Sequence, residues 1–148
     1  MTTITIPDIP GIPKIEDKEL VLNLSTPETL WINMMPPVPP KPVARLHYTA
    51  LLENKSSSSK QLSSSTQCDI ENWVILDSKG KVVDSDKFEE EYCTEQYISI
   101  PIEGHQTLRK DGTIFINARL LFPGEEYTLV YVWWGVIGTT EFKVNFAF

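Results

Sequence analysis

The chain has 148 residues, 41% of them apolar and four of them tryptophan, which is enough for one self-sufficient core and too short for separate cofactor and substrate lobes. Thirteen Lys and Arg against twenty Asp and Glu leave a net charge of −7, which opposes binding to nucleic-acid phosphates and to anionic membrane surfaces. No apolar run reaches the ~18 residues of a membrane helix. The opening MTTITIPDIPGIPK lacks the basic start and apolar block of a signal peptide, so the expected setting is soluble and cytoplasmic, with Cys68 and Cys93 reduced.

Proline divides the chain, because all eleven except Pro101 and Pro123 precede Val43. Residues 1–43 read as a Pro-rich arm with one or two strands, Glu19 to Leu24 and Leu30 to Met34, packed on a body over 44–148 in a single domain. MMPPVPPKP at 34–42 favours polyproline II, and its PxxP-plus-basic pattern is more simply a strand connection than a peptide-recognition motif. From Val43 the period becomes two: Ala44, Leu46, Tyr48, Ala50 and Leu52 share one face, the mark of a half-buried strand. NKSSSSKQLSSST at 54–66 has only Leu62 to bury, too little to offset ordering entropy, and is expected to be a mobile loop with a short strand near its end.

Asn72 to Leu76 and Lys81 to Val83 flank Asp77-Ser78-Lys79-Gly80, whose glycine suits the left-handed position of a hairpin. The acidic run Asp84 to Glu95 allows one short helix around Lys87 to Tyr92. Ile98 to Ile102 leads to a turn expected at Lys110-Asp111-Gly112. Three strong strands follow, Thr113 to Phe122, Glu126 to Trp134 and Thr140 to Phe148, joined at Pro123-Gly124-Glu125 and Gly135-Val136-Ile137-Gly138. The pattern predicts an all-β fold, an immunoglobulin-like antiparallel β-sandwich of seven to nine strands behind an irregular Pro-rich N-terminal segment. Its expected core is Leu46, Tyr48, Trp73, Ile75, Ile114, Ile116, Leu120, Leu129, Tyr131, Phe142, Val144 and Phe146.

Chemistry-bearing residues are sparse. His47, Cys68, Cys93 and His105 suit a zinc site in number and type, but no two are closer than the 12 positions between Cys93 and His105, whereas structural zinc sites pair their ligands a few residues apart. Cys68 or Cys93 with His105 is the one set that fits a nucleophile and base, the alternative that would make the chain a hydrolase. The acids of 84–91 lack the order and central glycine of an EF-hand. No catalytic residues, metal or cofactor are therefore assigned. Trp133 and Trp134, adjacent on one strand, point to opposite faces, so one is core and the other either anchors a partner or lies beneath the N-terminal arm.

From Leu46 onward the order of features resembles the BsuPI family of bacterial intracellular proteinase inhibitors. The residues that carry the likeness are Leu51 to Ser56, Ser65-Thr66-Gln67 before Trp73 to Leu76, and Asp77-Ser78-Lys79-Gly80. Ser85, Phe88, Pro123-Gly124-Glu125-Glu126-Tyr127, Trp133 and Gly138-Thr139-Thr140-Glu141-Phe142 complete it. The resemblance covers about two thirds of the chain; residues 1–43 and 92–109 have no counterpart. It implies an immunoglobulin-like fold and, as an expectation, proteinase inhibition. The functional expectation is a non-enzymatic protein-binding sandwich whose partner is another protein, a protease among the candidates. A small-ligand or carbohydrate-binding sandwich is the alternative. A stiff turn binds at lower ordering cost than a floppy loop, which places the expected contact at Lys79 and Gly80, at Pro123 and Gly124, or beside Trp134.

Overall fold

The computed structural model describes residues 15, 17–37, 42–86, 93 and 95–148. The short helix expected around Lys87 to Tyr92, most of the N-terminal arm and half of the PxxP segment lie outside these residues. The described residues form ten strands: β1 (Leu20–Ser25), β2 (Thr29–Asn33), β3 (Val43–Asn54), β4 (Lys60–Thr66), β5 (Glu71–Leu76), β6 (Val82–Ser85), β7 (Glu95–Ile102), β8 (Thr107–Asn117), β9 (Glu126–Trp133) and β10 (Val136–Ala147). A three-stranded sheet, β1-β3-β8, faces a five-stranded sheet, β2-β10-β9-β5-β6, and β4 pairs with β7 as a separate ribbon. This is the expected all-β immunoglobulin-like sandwich. It has one strand more than the upper expectation, and one pair, β2 with β10, is parallel.

The arm's two strands are integral to it, one in each sheet. Leu20 and Leu22 of β1 and Leu30 and Ile32 of β2 are buried in the shared core. Leu22 lies so close to Gly138 of β10 that a Cβ there would come within 3.0 Å of it, which closes one edge of the sandwich. The period-two reading of β3 holds throughout, since Ala44, Leu46, Tyr48, Ala50 and Leu52 are all buried. Each fully buried Leu contributes on the order of 1.5–3 kcal/mol over its exposed state.

Strand β9 departs from simple alternation. Tyr127 through Val132 are buried without interruption, because β9 is central in its sheet and both its faces are packed. Tyr127, Leu129 and Tyr131 enter the main core, while Val130 and Val132 join Val74 and Leu76 in a second cluster on the sheet's outer side, with Val82 and Ile137 against it.

Several sequence expectations are corrected. Lys110-Asp111-Gly112 is no turn: β8 runs straight through it, with Asp111 opposite Thr49 and Gly112 opposite Tyr48. Glycine is needed there because a Cβ would stand 2.5 Å from the Tyr48 hydroxyl. Leu120 is 38% exposed, because β8 ends at Asn117. That side chain accepts from Arg119 N at 3.1 Å and starts a single 3-10 turn over Ala118–Leu120, breaking the alternation.

The serine-rich stretch is ordered. Lys60–Thr66 is a full strand paired with β7 that buries Leu62. The connection before it is gripped by the fully buried Asn54. Its amide donates to the carbonyls of Ser58, Ile102 and Glu103 at 2.9–3.2 Å, and its Oδ1 accepts from Ser56 N and Oγ. Gly104 packs against Ser57, where a Cβ would meet the carbonyl oxygen at 2.4 Å. Hydrophobicity alone underestimates this loop, because a buried amide supplies the ordering energy that apolar area does not.

Cys68 and Cys93 are joined in a disulfide, correcting the expectation of reduced thiols. Cys68 lies in the 3-10 turn Gln67–Asp69 after β4, and Cys93 lies two residues before β7, so the bond ties the far end of the ribbon. Among the described residues, no helix is long and apolar enough to cross a membrane.

One polar cluster interrupts the core. The Tyr48 hydroxyl donates to Glu71 Oε1 at 2.6 Å and lies 3.3 Å from the Tyr131 hydroxyl, and Lys110 Nζ pairs with Glu71 Oε2. Lys110 points inward from the unpaired edge of its sheet, a placement that discourages a foreign strand from adding to β8. Burial pushes both phenols well above their ordinary value of 10.0, and the Glu71 carboxylate adds to this. For Glu71, burial pushes upward but is outweighed by hydrogen bonds from Lys110, Tyr48 and Tyr131, leaving it below 4.5.

The unfolded chain thus takes up the Glu71 proton first on acidification and releases the tyrosine protons first on alkalinisation. Stability should fall as pH drops below 4.5 and again as it rises past 10.0. We expect the phenolate absorbance of Tyr48 and Tyr131 to emerge only together with loss of near-UV circular dichroism. Ionisation of these two phenols in a folded chain would contradict the cluster as described.

Candidate binding face and polar depression

The two outer faces of the sandwich differ. On the five-stranded sheet the outer side is packed at β5 and β9, where Val74, Leu76, Val130 and Val132 are buried, and open at the β2 edge, where Trp31 is 61% exposed. On the three-stranded sheet the outer side chains of β3 and β8 stand in register and are largely open: Thr49 beside Asp111, His47 beside Thr113, Arg45 beside Phe115 and Val43 beside Asn117. Phe115 is 59% and Val43 54% exposed, and the register makes them diagonal neighbours at one end of the face. Arg45 stands opposite Phe115, two residues along β3 from Val43, and makes no ion pair with any described residue. Two of the chain's three arginines, Arg45 and Arg109, lie on this face, and its strands contribute no outward lysine.

Midway along β3, next to the Arg45–Phe115 pair, β1 stops at Ser25 opposite Thr49 and the chain turns away through Thr26 and Pro27. The departure leaves β3 and β8 uncovered and opens a depression of about 480 Å³. Its floor is the backbone of the Tyr48–Gly112 pair. His47 Nδ1 and Thr113 Oγ1 share a hydrogen bond of 2.8 Å. Asp111 accepts from the Thr49 hydroxyl at 2.6 Å and from Arg109 Nε and a terminal guanidinium nitrogen at 3.0 and 3.3 Å. Those bonds, Arg109 first and Thr49 next, hold the Asp111 carboxyl below its ordinary value. The Thr26 hydroxyl oxygen is buried and bonds to no described residue.

The residues singled out from the sequence lie elsewhere. Trp134 is 7% exposed and not on a strand. With Gly135 it forms a two-residue hairpin turn between the paired Trp133 and Val136, both turn residues having positive φ (53° and 79°), as twist-matched hairpins require. Trp134 N donates to the Ile70 carbonyl at 2.7 Å, and Ile15 of the arm donates to the Gly135 carbonyl at 2.8 Å. Trp134 is therefore a buried turn residue and presents no docking face, and the arm reaches its turn.

Lys79 and Gly80 sit in the β5–β6 turn as expected, with Gly80 at φ 81° and the Asp77 carboxylate accepting from Lys79 N and Lys81 N at 2.9 Å. Pro123 and Gly124 form the exposed turn before β9, where Gly124 N donates to the Val144 carbonyl at 2.8 Å. Both turns are held by hydrogen bonds, and the second adjoins Phe122, which is 63% exposed.

Cys68 and Cys93 hold each other, so neither is a thiolate for the expected hydrolase set or a zinc ligand. His47 lies on the β3 face and His105 in the turn between β7 and β8. Among the described residues no group of three or more His, Cys, Asp or Glu side chains could hold a metal ion. The open face was missed because the sequence signals only that Arg45, His47, Thr49 and Phe115 alternate with the core residues, not that the other sheet's outer side is packed at β5 and β9.

The fold is an immunoglobulin-like β-sandwich whose three-stranded sheet has an open outer face. No family model matches the chain, and no curated protein does. Solved structures with related architecture include a β-glucosidase from Listeria innocua, at 12% identity and a TM-score of 0.42, covering 86% of this chain and 16% of that one. A β-glucuronidase of glycoside hydrolase family 2 is similar at 13% identity and 0.43, covering 82% of this chain and 10% of that one. The alkylpurine DNA glycosylase AlkC of Pseudomonas fluorescens is similar at 14% and 0.44, covering 88% and 31%. This chain spans only a small part of the length of those enzymes, and likenesses of this degree carry no argument about activity.

Proposed function

We propose that the chain is a non-enzymatic binding module that docks another protein on the outer face of its three-stranded sheet, through Phe115, Val43 and Arg45. The observation that supports this is the face itself: β3 and β8 display in register an aromatic ring, a β-branched residue and an arginine that makes no ion pair with any described residue, whereas the outer side of the other sheet is packed at β5 and β9. Protein interfaces are enriched in aromatics and arginine and depleted in lysine, and this face has that composition on an otherwise acidic chain. The complementary partner surface is apolar with an acidic group facing Arg45. A protease is one candidate partner, supported only by the resemblance noted from the sequence. The Cys68–Cys93 bond favours an oxidising compartment over the cytoplasm expected from the N-terminal residues.

Partner capture from extracts of the source organism, quantified for wild type and for Phe115→Asp, tests the reading. A central aromatic anchor contributes ~2 kcal/mol or more, so loss of at least about thirtyfold in affinity is expected, with unchanged melting temperature. Equal capture by wild type and Phe115→Asp, with loss instead in Lys79→Glu, would move the contact to the β5–β6 turn. A panel of serine proteases, assayed for residual activity with both proteins, tests the narrower inhibitor reading in the same way.

A further inference from the structure

Strand β2 is an edge of the five-stranded sheet, bonded to β10 on one side and to no described strand on the other. Lys143 N donates to the Glu28 carbonyl and Met34 N to the Ala147 carbonyl, both at 2.8 Å, which fixes the phase of the ladder. In a parallel pair one residue turns both its backbone groups to the neighbour and the next turns both away. Glu28, Leu30, Ile32 and Met34 therefore serve β10, and the N–H and C=O groups of Thr29, Trp31 and Asn33 face the free edge. None of these outward groups bonds to a described residue.

Edge strands are commonly guarded against foreign strands by a charge, a proline, a bulge or brevity. At the β8 edge Lys110 turns inward to Glu71, and β6 has only four residues and meets β5 through a register shift. The β2 sequence TLWIN carries no charge, proline or glycine and keeps a regular register with β10. Leu30 and Ile32 hold its inner side in the core, while Trp31 is 61% exposed on its outer side.

We propose that β2 is a self-association site, at which a second copy of this chain adds its own β2 antiparallel across a two-fold axis at Trp31. The phase of the ladder selects that register. With Trp31 opposite Trp31, Thr29 stands opposite Asn33 of the second copy, and the three outward N–H and three outward C=O groups of each chain meet in six hydrogen bonds with none left over. A register shifted by two residues would set Asn33 against Pro27, which has no N–H, or Thr29 against Met35, whose N–H is already taken by Asn33 Oδ1 at 2.9 Å. The seam also brings no like charges together. The two Trp31 side chains form a cross-strand aromatic pair, and Lys143, beside Thr29, lies in line with Asn33 and Ala147 of the second copy. The net charge of −7 on each chain opposes the approach of two copies, so the pair should be weak and should tighten as salt screens that repulsion.

Sedimentation equilibrium of the full chain is expected to show a reversible monomer–dimer equilibrium with a Kd of about 0.1 mM, tightened by added salt. Amide hydrogen exchange on either side of that concentration should slow at Thr29, Trp31 and Asn33 in the dimer and stay unchanged at Leu30 and Ile32, which already bond β10. Trp31→Lys sets two ammonium groups face to face at the axis and should raise the Kd at least about tenfold with the melting temperature unchanged. Trp31→Pro, which removes only an outward N–H, should have the same effect on the Kd. Trp31→Cys should give a disulfide-linked dimer on mild oxidation, because directly opposed Cα atoms about 5.5 Å apart suit that bond, whereas Asn145→Cys, one strand further from the axis, should not. A monomer up to about 1 mM, a dimer that persists in Trp31→Lys, or a dimer lost in Phe115→Asp would overturn the proposal. Slowed exchange at the three outward amides only on adding a different protein would also overturn it, and would give the edge to a foreign strand.

Discussion

Asn54→Ala is expected to destabilise the chain by ~3 kcal/mol and to convert the connection over 55–59 from protease-resistant to protease-sensitive. The Asn54 side chain is wholly buried and satisfies three carbonyls, one backbone N–H and the Ser56 hydroxyl, joining the connection after β3 to the end of β7. Alanine would leave the Ile102 carbonyl unpartnered by this amide inside the fold, and those of Ser58 and Glu103 rehydrated only by opening the turn. Asn54→Asp should be no milder, because a carboxylate keeps the acceptor for Ser56 but faces three carbonyl oxygens. Urea unfolding measures the first effect. Limited trypsinolysis measures the second, through cleavage after Lys55. Equal cleavage rates in wild type and Asn54→Ala would show that the amide does not hold the loop.

Removing the disulfide has an effect of similar size through a different route. The bond spans a sequence separation of 25 residues, and closing a loop of that length in the unfolded chain is worth about 3.5 kcal/mol by chain-entropy arithmetic. For a domain of this size the paired Cys68→Ser, Cys93→Ser variant should melt about 10 °C lower. Wild type in reductant should follow it. Because the bond anchors the far end of the β4–β7 ribbon, hydrogen exchange should quicken in that ribbon before it quickens in β3 or β9. Two titratable thiols in the protein purified without reductant would contradict the pairing itself.

The strands were legible wherever a side chain's own polarity matched its face. The alternation of Ala44, Leu46, Tyr48, Ala50 and Leu52, and the glycine of the Asp77-Ser78-Lys79-Gly80 turn, are local signals, and both stand in the structure. Failures came where a distant partner decides. Gly112 reads as a turn until Tyr48 is placed against it, and the serine stretch reads as mobile until Asn54 is seen to bind carbonyls of residues 102 and 103. Trp134 reads as a strand residue with a free face, whereas a two-residue turn turns it inward and Ile70 accepts its N–H. Cys68 and Cys93 are 25 positions apart, and only the antiparallel pairing of β4 with β7 brings the segments that bear them together. The candidate face was half legible: its residues alternate with those of the core, but the burial of β9 on both sides, which closes the middle of the other sheet, depends on tertiary contacts.

The most direct test of the open-face account is site-specific photo-crosslinking in living cells, with benzoylphenylalanine placed singly at positions 47, 79 and 124. Position 47 is the next outward position after Arg45 on β3 and stands diagonal to Phe115 on β8, while 79 and 124 sit in the turns that the sequence alone favoured. The account predicts one discrete protein adduct from position 47, lost on adding Phe115→Asp, and none from 79 or 124. Adducts from 79 or 124 with none from 47, or no discrete adduct from any of the three, would contradict it.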